Sequence, residues 1–272
     1  MAKPISNVAI ITKTNSLEAE NAANRITELL TNRHVNVYSI APITLDKGIP
    51  KRPEDLMNID LDLIFAVGGD GTTLRAFRII PCIVPLFSMN IGGNRGILSE
   101  VGVESIDSSI ESILEGQYFY DSRLRIQASI NGEICSPALN DIVFLRSNLT
   151  RSPVLTIKFM NDEIKQRMDG IIISTPTGST GHSFSNHGPI LHEGLNCLLF
   201  NPIASVNRMP QLVIPPEEIR ISSNYESQLI IDGQEVVKVA SQSTVKISRF
   251  SIDAQFIRLK KKGMRQLAKL GF

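Results

Sequence analysis

Leu63-Ile64-Phe65-Ala66-Val67-Gly68-Gly69-Asp70-Gly71-Thr72 runs from five apolar residues straight into three glycines in four positions. An apolar run bounded by turn residues reads as a buried strand, here over Leu61 to Val67 with the unbroken stretch at Leu63 to Val67. Thr72 to Ile80 then reads as a helix that stops before Pro81. In an open parallel sheet, ligands bind just beyond the carboxyl ends of strands, where this glycine turn falls. The flanking sequence repeats the alternation. Val8 to Ile11 is a short apolar strand, residues 16–33 carry Ala19, Ala22, Ala23, Ile26, Leu29 and Leu30 at helical spacing, and Val35 to Ile40 alternates as a strand does. Ile83 to Met89 reads as a strand, and Ser105 to Leu114 as a helix stopped by Gly116. Strand and helix in alternation predict a parallel sheet covered by helices.

After about residue 117 the texture changes. Strand-like runs follow at 123–130, 134–146, 153–160, 170–175, 211–214, 218–222, 228–232, 235–240, 243–248 and 254–259. Asn131-Gly132, Asn161-Asp162 and Asp232-Gly233 supply turns between them. The expected class is therefore α/β plus all-β: an N-terminal α/β parallel-sheet domain and a C-terminal antiparallel β-rich domain. Lys260 to Leu270 reads as a short basic helix, with Lys260-Lys261-Lys262 a solvated face.

Composition bounds the function. Of 272 residues, 42% are hydrophobic and 20% charged, which excludes disordered and fibrous classes. Lys+Arg number 28 against 27 Asp+Glu, so a net charge of +1 with no long basic block argues against a nucleic-acid binder. No apolar run reaches 18 residues, so no membrane helix is expected. Met1 to Ser6 lacks a signal-peptide layout, and three scattered cysteines, Cys82, Cys135 and Cys197, suit a reducing cytoplasm. The sequon Asn148-Leu149-Thr150 is read as chance in that setting.

Four constellations carry chemistry. The loop Gly68, Gly69, Gly71 and Thr72 lets backbone approach a ligand at a helix N-terminus, an arrangement that favours phosphate. Asp70 repels phosphate, so it serves a hydroxyl or a metal, or else it is an N-cap or turn residue. The loop is neither a Walker A sequence nor a dinucleotide fingerprint. Asp169-Gly170, then Ile171-Ile172-Ile173, leads into Ser174-Thr175-Pro176-Thr177-Gly178-Ser179-Thr180-Gly181, whose hydroxyls suit a base or ribose unless the segment is an ordinary polar turn. Asn140-Asp141 interrupts an apolar run and needs a partner, or marks a bulge or edge. Asp232-Gly233-Gln234 alone reads as a hairpin turn.

Together with Gly188-Pro189-Ile190, these motifs resemble the NAD kinase family, the ATP-NAD and inorganic polyphosphate/ATP-NAD kinases of archaeal and bacterial type. The resemblance spans nearly the whole chain. It implies an ATP-dependent NAD kinase that phosphorylates the adenosine ribose 2′-hydroxyl of NAD to make NADP, in a cleft between the two domains. It implies Asp70 as the catalytic proton acceptor, with Gly71 and Arg75 at the ligand; Arg75 otherwise reads as a solvated helix face. An ordinary carboxylate is a weak base for an alcohol, but phosphoryl transfer needs an oriented hydroxyl more than a strong base. Asn140 and Asp141 match the pair that holds the adenosine of NAD. Arg167 and Asp169 match an Arg-x-Asp pair near the nicotinamide. Thr177 and the run Thr180, Gly181, His182 to Ser185 match the adenine and ribose stretch; Ala204 matches a backbone contact to the carboxamide, and Gln234 a contact from the Asp-Gly-Gln turn. The tail is implied to pack on the first domain, giving 1–116 with 258–272 for the phosphate loop and 117–257 for NAD binding.

Several positions depart from the pattern. Asp141 replaces a commoner glutamate, and Gly181-His182 a commoner Ala-Tyr. Gly92 to Leu98, Asn186-His187-Gly188-Pro189 and Val206-Asn207-Arg208 also differ. His182, His187 and His192, five residues apart, fit neither helix nor strand period and are not read as a metal site. A divalent cation such as magnesium is expected with the ATP, held by phosphates and water. NAD and ATP are the expected partners, with no nucleic acid or membrane, and the resemblance implies a homodimer or homotetramer built through the β domain. A lipid or sugar kinase of the same superfamily, or a non-catalytic dinucleotide sensor, are the rival readings.

Overall fold

The structure is a computed structural model and describes residues 4–80, 83–92, 96–261 and 263–271. Of the stretches singled out above, Pro81, Cys82, Gly93 to Arg95 and Lys262 lie outside the described residues. The chain forms two compact units, Met1–Ser122 with Ala254–Phe272, and Arg123–Asp253.

The first unit begins with β1 (Asn7–Thr12), α1 (Leu17–Thr31), β2 (Asn36–Ile40), β3 (Ile49–Lys51), β4 (Leu63–Val67) and α2 (Asp70–Ile79). It continues through β5 (Leu86–Asn90), β6 (Val101–Gly102), α3 (Ile106–Leu114) and β7 (Phe119–Arg123). The second unit holds β8 (Ile126–Ile130), β9 (Glu133–Ala138), β10 (Asp141–Arg146), β11 (Val154–Phe159), β12 (Asp162–Arg167) and β13 (Gly170–Ser174). The short α4 (His182–Ser185) follows, then β14 (Leu198–Ile203), β15 (Leu212–Ile214), β16 (Ile219–Ser223), β17 (Ser227–Ile231), β18 (Glu235–Val239) and β19 (Val245–Arg249). The chain returns to the first unit with β20 (Ala254–Arg258) and α5 (Arg265–Leu270).

The first sheet has the order β3-β2-β1-β4-β5-β20-β7, with β6 beside β5. β1, β4 and β5 are parallel and end together: Thr12 pairs with Val67, and Val67 with Met89. Every residue of β4 is buried, which is why its sequence is an unbroken apolar run rather than an alternating one. Ser16 accepts the Ala19 N–H at 3.3 Å and starts α1, whose Ala19, Ala22, Ala23, Ile26 and Leu30 cover one face of the sheet. No helix among the described residues is long and apolar enough to cross a membrane.

The second unit has two antiparallel six-stranded sheets, β15-β14-β13-β10-β17-β18 and β12-β11-β16-β19-β8-β9. Ile142, Phe144, Ile171 and Ile173 from one meet Leu155, Ile157, Ile219 and Ile247 from the other in a shared core. The fold class is the one expected. Several details differ: the run expected over 123–130 is divided between β7 and β8, the tail helix begins at Arg265 and not at Lys260, and β3 and β6 lie where no strand was expected. α2 begins at Asp70, two residues early, because Gly69 serves as its N-cap. The run expected over 134–146 is two strands. It breaks at Leu139-Asn140, whose N–H groups donate to the Asp232 carboxylate at 3.0 and 2.7 Å. β12 and β14 lie where no strand was expected.

Candidate functional site

In the first unit the site residues gather at the joint carboxyl ends of β1, β4 and β5. Gly68 donates its N–H to the Met89 carbonyl at 3.0 Å, and Lys13 donates to the Val67 carbonyl at 2.8 Å. A Cβ on Gly68 would overlap the Thr72 hydroxyl and stand 2.9 Å from the Lys13 Cβ, so the chain crossing demands glycine. Gly69, by contrast, faces open space. Asp70 opens α2, where a negative charge suits the helix N-terminus. Both its oxygens are engaged: Oδ2 accepts the Ile97 N–H at 3.0 Å and Oδ1 the Leu98 N–H at 2.9 Å. Each oxygen keeps a second lone pair for a ligand hydroxyl. Arg75 is not a solvated helix face. It is half-buried, donates from Nη2 to the Thr12 carbonyl at 3.2 Å, and its buried Nε has no hydrogen-bond partner. Burial, with Arg78 adding its charge, lowers its pKa from the usual value. An incompletely satisfied guanidinium at the strand ends fits an anion.

In the second unit three distant segments are knotted together. The Asp232 carboxylate, 7% exposed, also accepts the Asp141 N–H at 3.3 Å. Thr175 donates its hydroxyl to the Leu139 carbonyl at 2.5 Å and its N–H to the Asn140 carbonyl at 2.8 Å. A Cβ on Gly178 would overlap that Asn140 carbonyl. Asn140 Oδ1 is buried with no partner, an acceptor waiting for a donor. A Cβ on Gly181 would stand 3.7 Å from Asn140 Nδ2 and 4.0 Å from Asp141 Oδ2, so both polar groups face the space this glycine leaves. Asp141 is 4% exposed, and burial, followed by the Asp232 charge, pushes its carboxyl up to about 7.

Four hydroxyls of this turn spend their protons on the backbone, which leaves them only lone pairs to offer a ligand. Ser174, Thr175, Ser179 and Thr180 all donate to backbone carbonyls. Thr177 is buried with them. His182 and Ser185 are exposed on α4. That helix is held from behind, where Asn186 Nδ2 donates to Asn201 Oδ1 at 2.8 Å and Asn201 Nδ2 to Ser183 Oγ at 2.9 Å. Gln234 is exposed in the β17–β18 turn, whose Asp232 and Gly233 both have positive φ.

Arg167, Asp169 and Ala204 gather at the other end of β13. Asp169 precedes Gly170, whereas Asp141 pairs with Ser174, so the two groups lie roughly 16 Å apart along the strand. Asp169 forms an ion pair with Arg146 at 2.9 Å and donates its N–H to the Ile203 carbonyl. Ala204 is exposed and has a φ of 47°, a left-handed conformation uncommon for alanine.

A family model described as the ATP-NAD kinase N-terminal domain matches residues 8–118, and one described as the ATP-NAD kinase C-terminal domain matches residues 139–259. The chain belongs to the NAD kinase family. An NAD kinase of Methanothermobacter thermautotrophicus is 31% identical, with 96% of this chain and 94% of that protein covered. An NAD kinase of Thermococcus sibiricus is also 31% identical, with 92% of each covered. The crystal structure of an NAD kinase from Archaeoglobus fulgidus in complex with ATP has a TM-score of 0.79 at 25% identity, covering 98% of each chain. The crystal structure of yeast NADH kinase complexed with NADH shares the fold, with a TM-score of 0.89 at 20% identity, covering 99% of this chain and 87% of that one. The chain is thus an enzyme of the NAD kinase family. Around the candidate site, sequence reading passed over Lys13 and Arg146 and took Asp232 only for part of a hairpin turn. Lys13 stands beside the glycine loop because β1 ends there, Arg146 pairs with Asp169, and Asp232 organises Asn140 and Asp141 from 92 and 91 residues away. Nothing in a single sequence signals the last.

Proposed function

We propose that this chain transfers the γ-phosphoryl group of Mg-ATP to the 2′-hydroxyl of the adenosine ribose of NAD, giving NADP and ADP. The observation that carries this is Asp70, held by two backbone N–H groups at the mouth of a glycine loop and at the N-terminus of α2. Its carboxylate orients the hydroxyl. The ribose oxygen attacks the γ-phosphorus, the bond to the β,γ-bridging oxygen breaks, and the hydroxyl proton passes late to Asp70. Positioning and charge neutralisation supply most of the rate in such transfers. Gly68, Gly69, Gly71 and Thr72 meet phosphates, with Arg75 and Lys13 opposing their charge. The cation is part of the nucleotide substrate.

Asn140 and Asp141 take hydrogen bonds from the dinucleotide, with Thr177, Thr180, Gly181, His182 and Ser185 around them. Arg167, Asp169 and Ala204 serve the nicotinamide end, and Gln234 a further contact. The division of labour, 1–116 with 258–272 for phosphate and 117–257 for NAD, belongs to the same proposal. So do a cytoplasmic setting and a homodimer or homotetramer, which would cover exposed strand edges such as β12 and β18.

The rival of a dinucleotide sensor draws on the same carboxylate, since its hydrogen bonds to Ile97 and Leu98 give Asp70 a structural task. The test is NADP formation from NAD and Mg-ATP by wild type and Asp70→Asn, with melting curves for both. Activity in wild type and a loss of about a hundredfold or more in a folded variant support the kinase. No product from NAD or NADH, with ATP or polyphosphate, overturns it; NAD binding without turnover then favours the sensor. A lipid or sugar kinase would show itself in a panel of acceptors.

A further inference from the structure

We propose that Arg258 is a positioning residue for Asp70, acting through the backbone of residues 97–98. The proposal rests on Asp70 being the proton acceptor. Asp70 depends on the Ile97 and Leu98 N–H groups for its orientation. That segment is gripped from behind. Arg258, 1% exposed, donates from Nη1 to the Leu98 carbonyl at 2.9 Å and from Nε to Asp121 Oδ2 at 2.9 Å, with its guanidinium 4.3 Å over the Phe256 ring. Two residues further, Glu100 is also buried. It accepts from the N–H groups of Leu259 and Lys260, pairs with Arg265, and stands 3.5 Å from Arg258 Nη1. Two buried arginines thus face two carboxylates, and each of these polar contacts joins the segment 98–100 or β7 to β20 and the tail. Arg265 also donates to the Lys260 carbonyl at 3.0 Å, which fixes the tail on itself.

Buried ion pairs recover little net stability, because desolvating the charges offsets their attraction. What the planar, forked guanidinium supplies here is geometry: one side chain pins a carbonyl and a carboxylate at once. The carbonyl belongs to the residue whose N–H holds Asp70. Without that pin, the loop of Gly96 to Ser99 is free to shift, and a displacement of an ångström at Asp70 is enough to cost rate without weakening substrate binding.

The experiment compares full-length wild type, Arg258→Lys, Asp70→Asn and the double variant, measuring kcat, KM for NAD and ATP, and the melting midpoint. Lysine keeps the buried charge but loses the fork. The expected result is a fall in kcat of about tenfold or more for Arg258→Lys with both KM values within about twofold. In the Asp70→Asn background the same change has less than about a twofold effect, because the group it positions is gone. Amide exchange at Leu98 quickens. An equal fractional loss in both backgrounds overturns the proposal while leaving Asp70 in place, as does a folded Arg258→Lys enzyme with wild-type kcat. If Asp70→Asn is as active as wild type, the reading of Asp70 falls and this inference with it. Should Arg258→Lys fail to fold, Glu100→Gln loosens the same segment from its second grip; it is expected to show the same non-additive loss, and a wild-type kcat there overturns the proposal.

Discussion

Asp141 carries its carboxyl into a place almost without water, beside a second buried carboxylate, Asp232. Burial and that charge raise its pKa from 3.8 to about 7. The sign follows by linkage. The folded chain keeps a proton that the unfolded chain releases near pH 4, so stability falls as pH rises between about 4 and 7 and levels off above. From pH 5 to 7 this amounts to roughly 2–3 kcal/mol. Urea melts at pH 5 and 8 should show wild type losing that much more stability than Asp141→Asn; equal losses would mean the carboxyl is ionised throughout. Dinucleotide binding should run the other way. A hydroxyl donating to the ionised carboxylate favours that form, so NAD affinity rises with pH up to about 7 in wild type and is flat in the variant. Titration calorimetry across that range checks it.

At the scale of elements, two glycines, one from each unit, separate structure from function. Gly178 has backbone against it, the Asn140 carbonyl, and backbone at a sheet end has little freedom to move. Gly178→Ala should cost about 3 kcal/mol of stability, the range of overpacking in a rigid site. Gly69 has no atom within 4 Å of where an added methyl would stand, and an ordinary negative φ of −92°. Gly69→Ala should leave the melting midpoint within about a degree while raising the KM for ATP several-fold, because the room above it is what a phosphate would occupy. A large stability loss there would show that the loop is tighter than it looks. The strand before these glycines, and α2 after them, were legible because burial on both faces writes itself as an apolar run and one-sided burial as a 3.6 period. β12 was not legible: Asp162 to Arg167 is an exposed edge strand, and no inward face imposes alternation on it. The break between β9 and β10 was not legible either. It is imposed by Asp232, some ninety residues away, and local propensity has no term for that. The inward turn of the hydroxyls at 174–180 is of the same kind. Residue types told that a polar turn stood there, and only the carbonyls of Leu139, Pro176 and Thr177 decide which way it faces.

At the scale of the whole chain, the second unit is one continuous insertion between neighbouring strands of the first sheet, β7 and β20. Gln255 Nε2 donates to Ser122 Oγ at 3.2 Å, so the chain leaves and re-enters the first unit at adjacent points. The insertion also ties its own ends together. Phe250 donates its N–H to the Arg125 carbonyl at 2.9 Å, Arg125 Nε donates to the Ile252 carbonyl at 3.1 Å, and Arg123, 3% exposed, pairs with Glu193 at 3.1 Å. Each of these bonds lies within residues 123–253, as does the core between its two sheets. A segment with its own core, its own closed ends and a length typical of a domain has what independent folding requires. Residues 123–253 expressed alone should therefore give a β-rich circular dichroism spectrum and one cooperative melting transition. The fragment keeps Asn140, Asp141 and Asp232 but not Asp70, so it should bind NAD more weakly than the full chain and make no NADP at all. A fragment that stays unfolded would show that the second core depends on the first unit. NADP formed by the fragment would move the chemistry away from the glycine loop altogether.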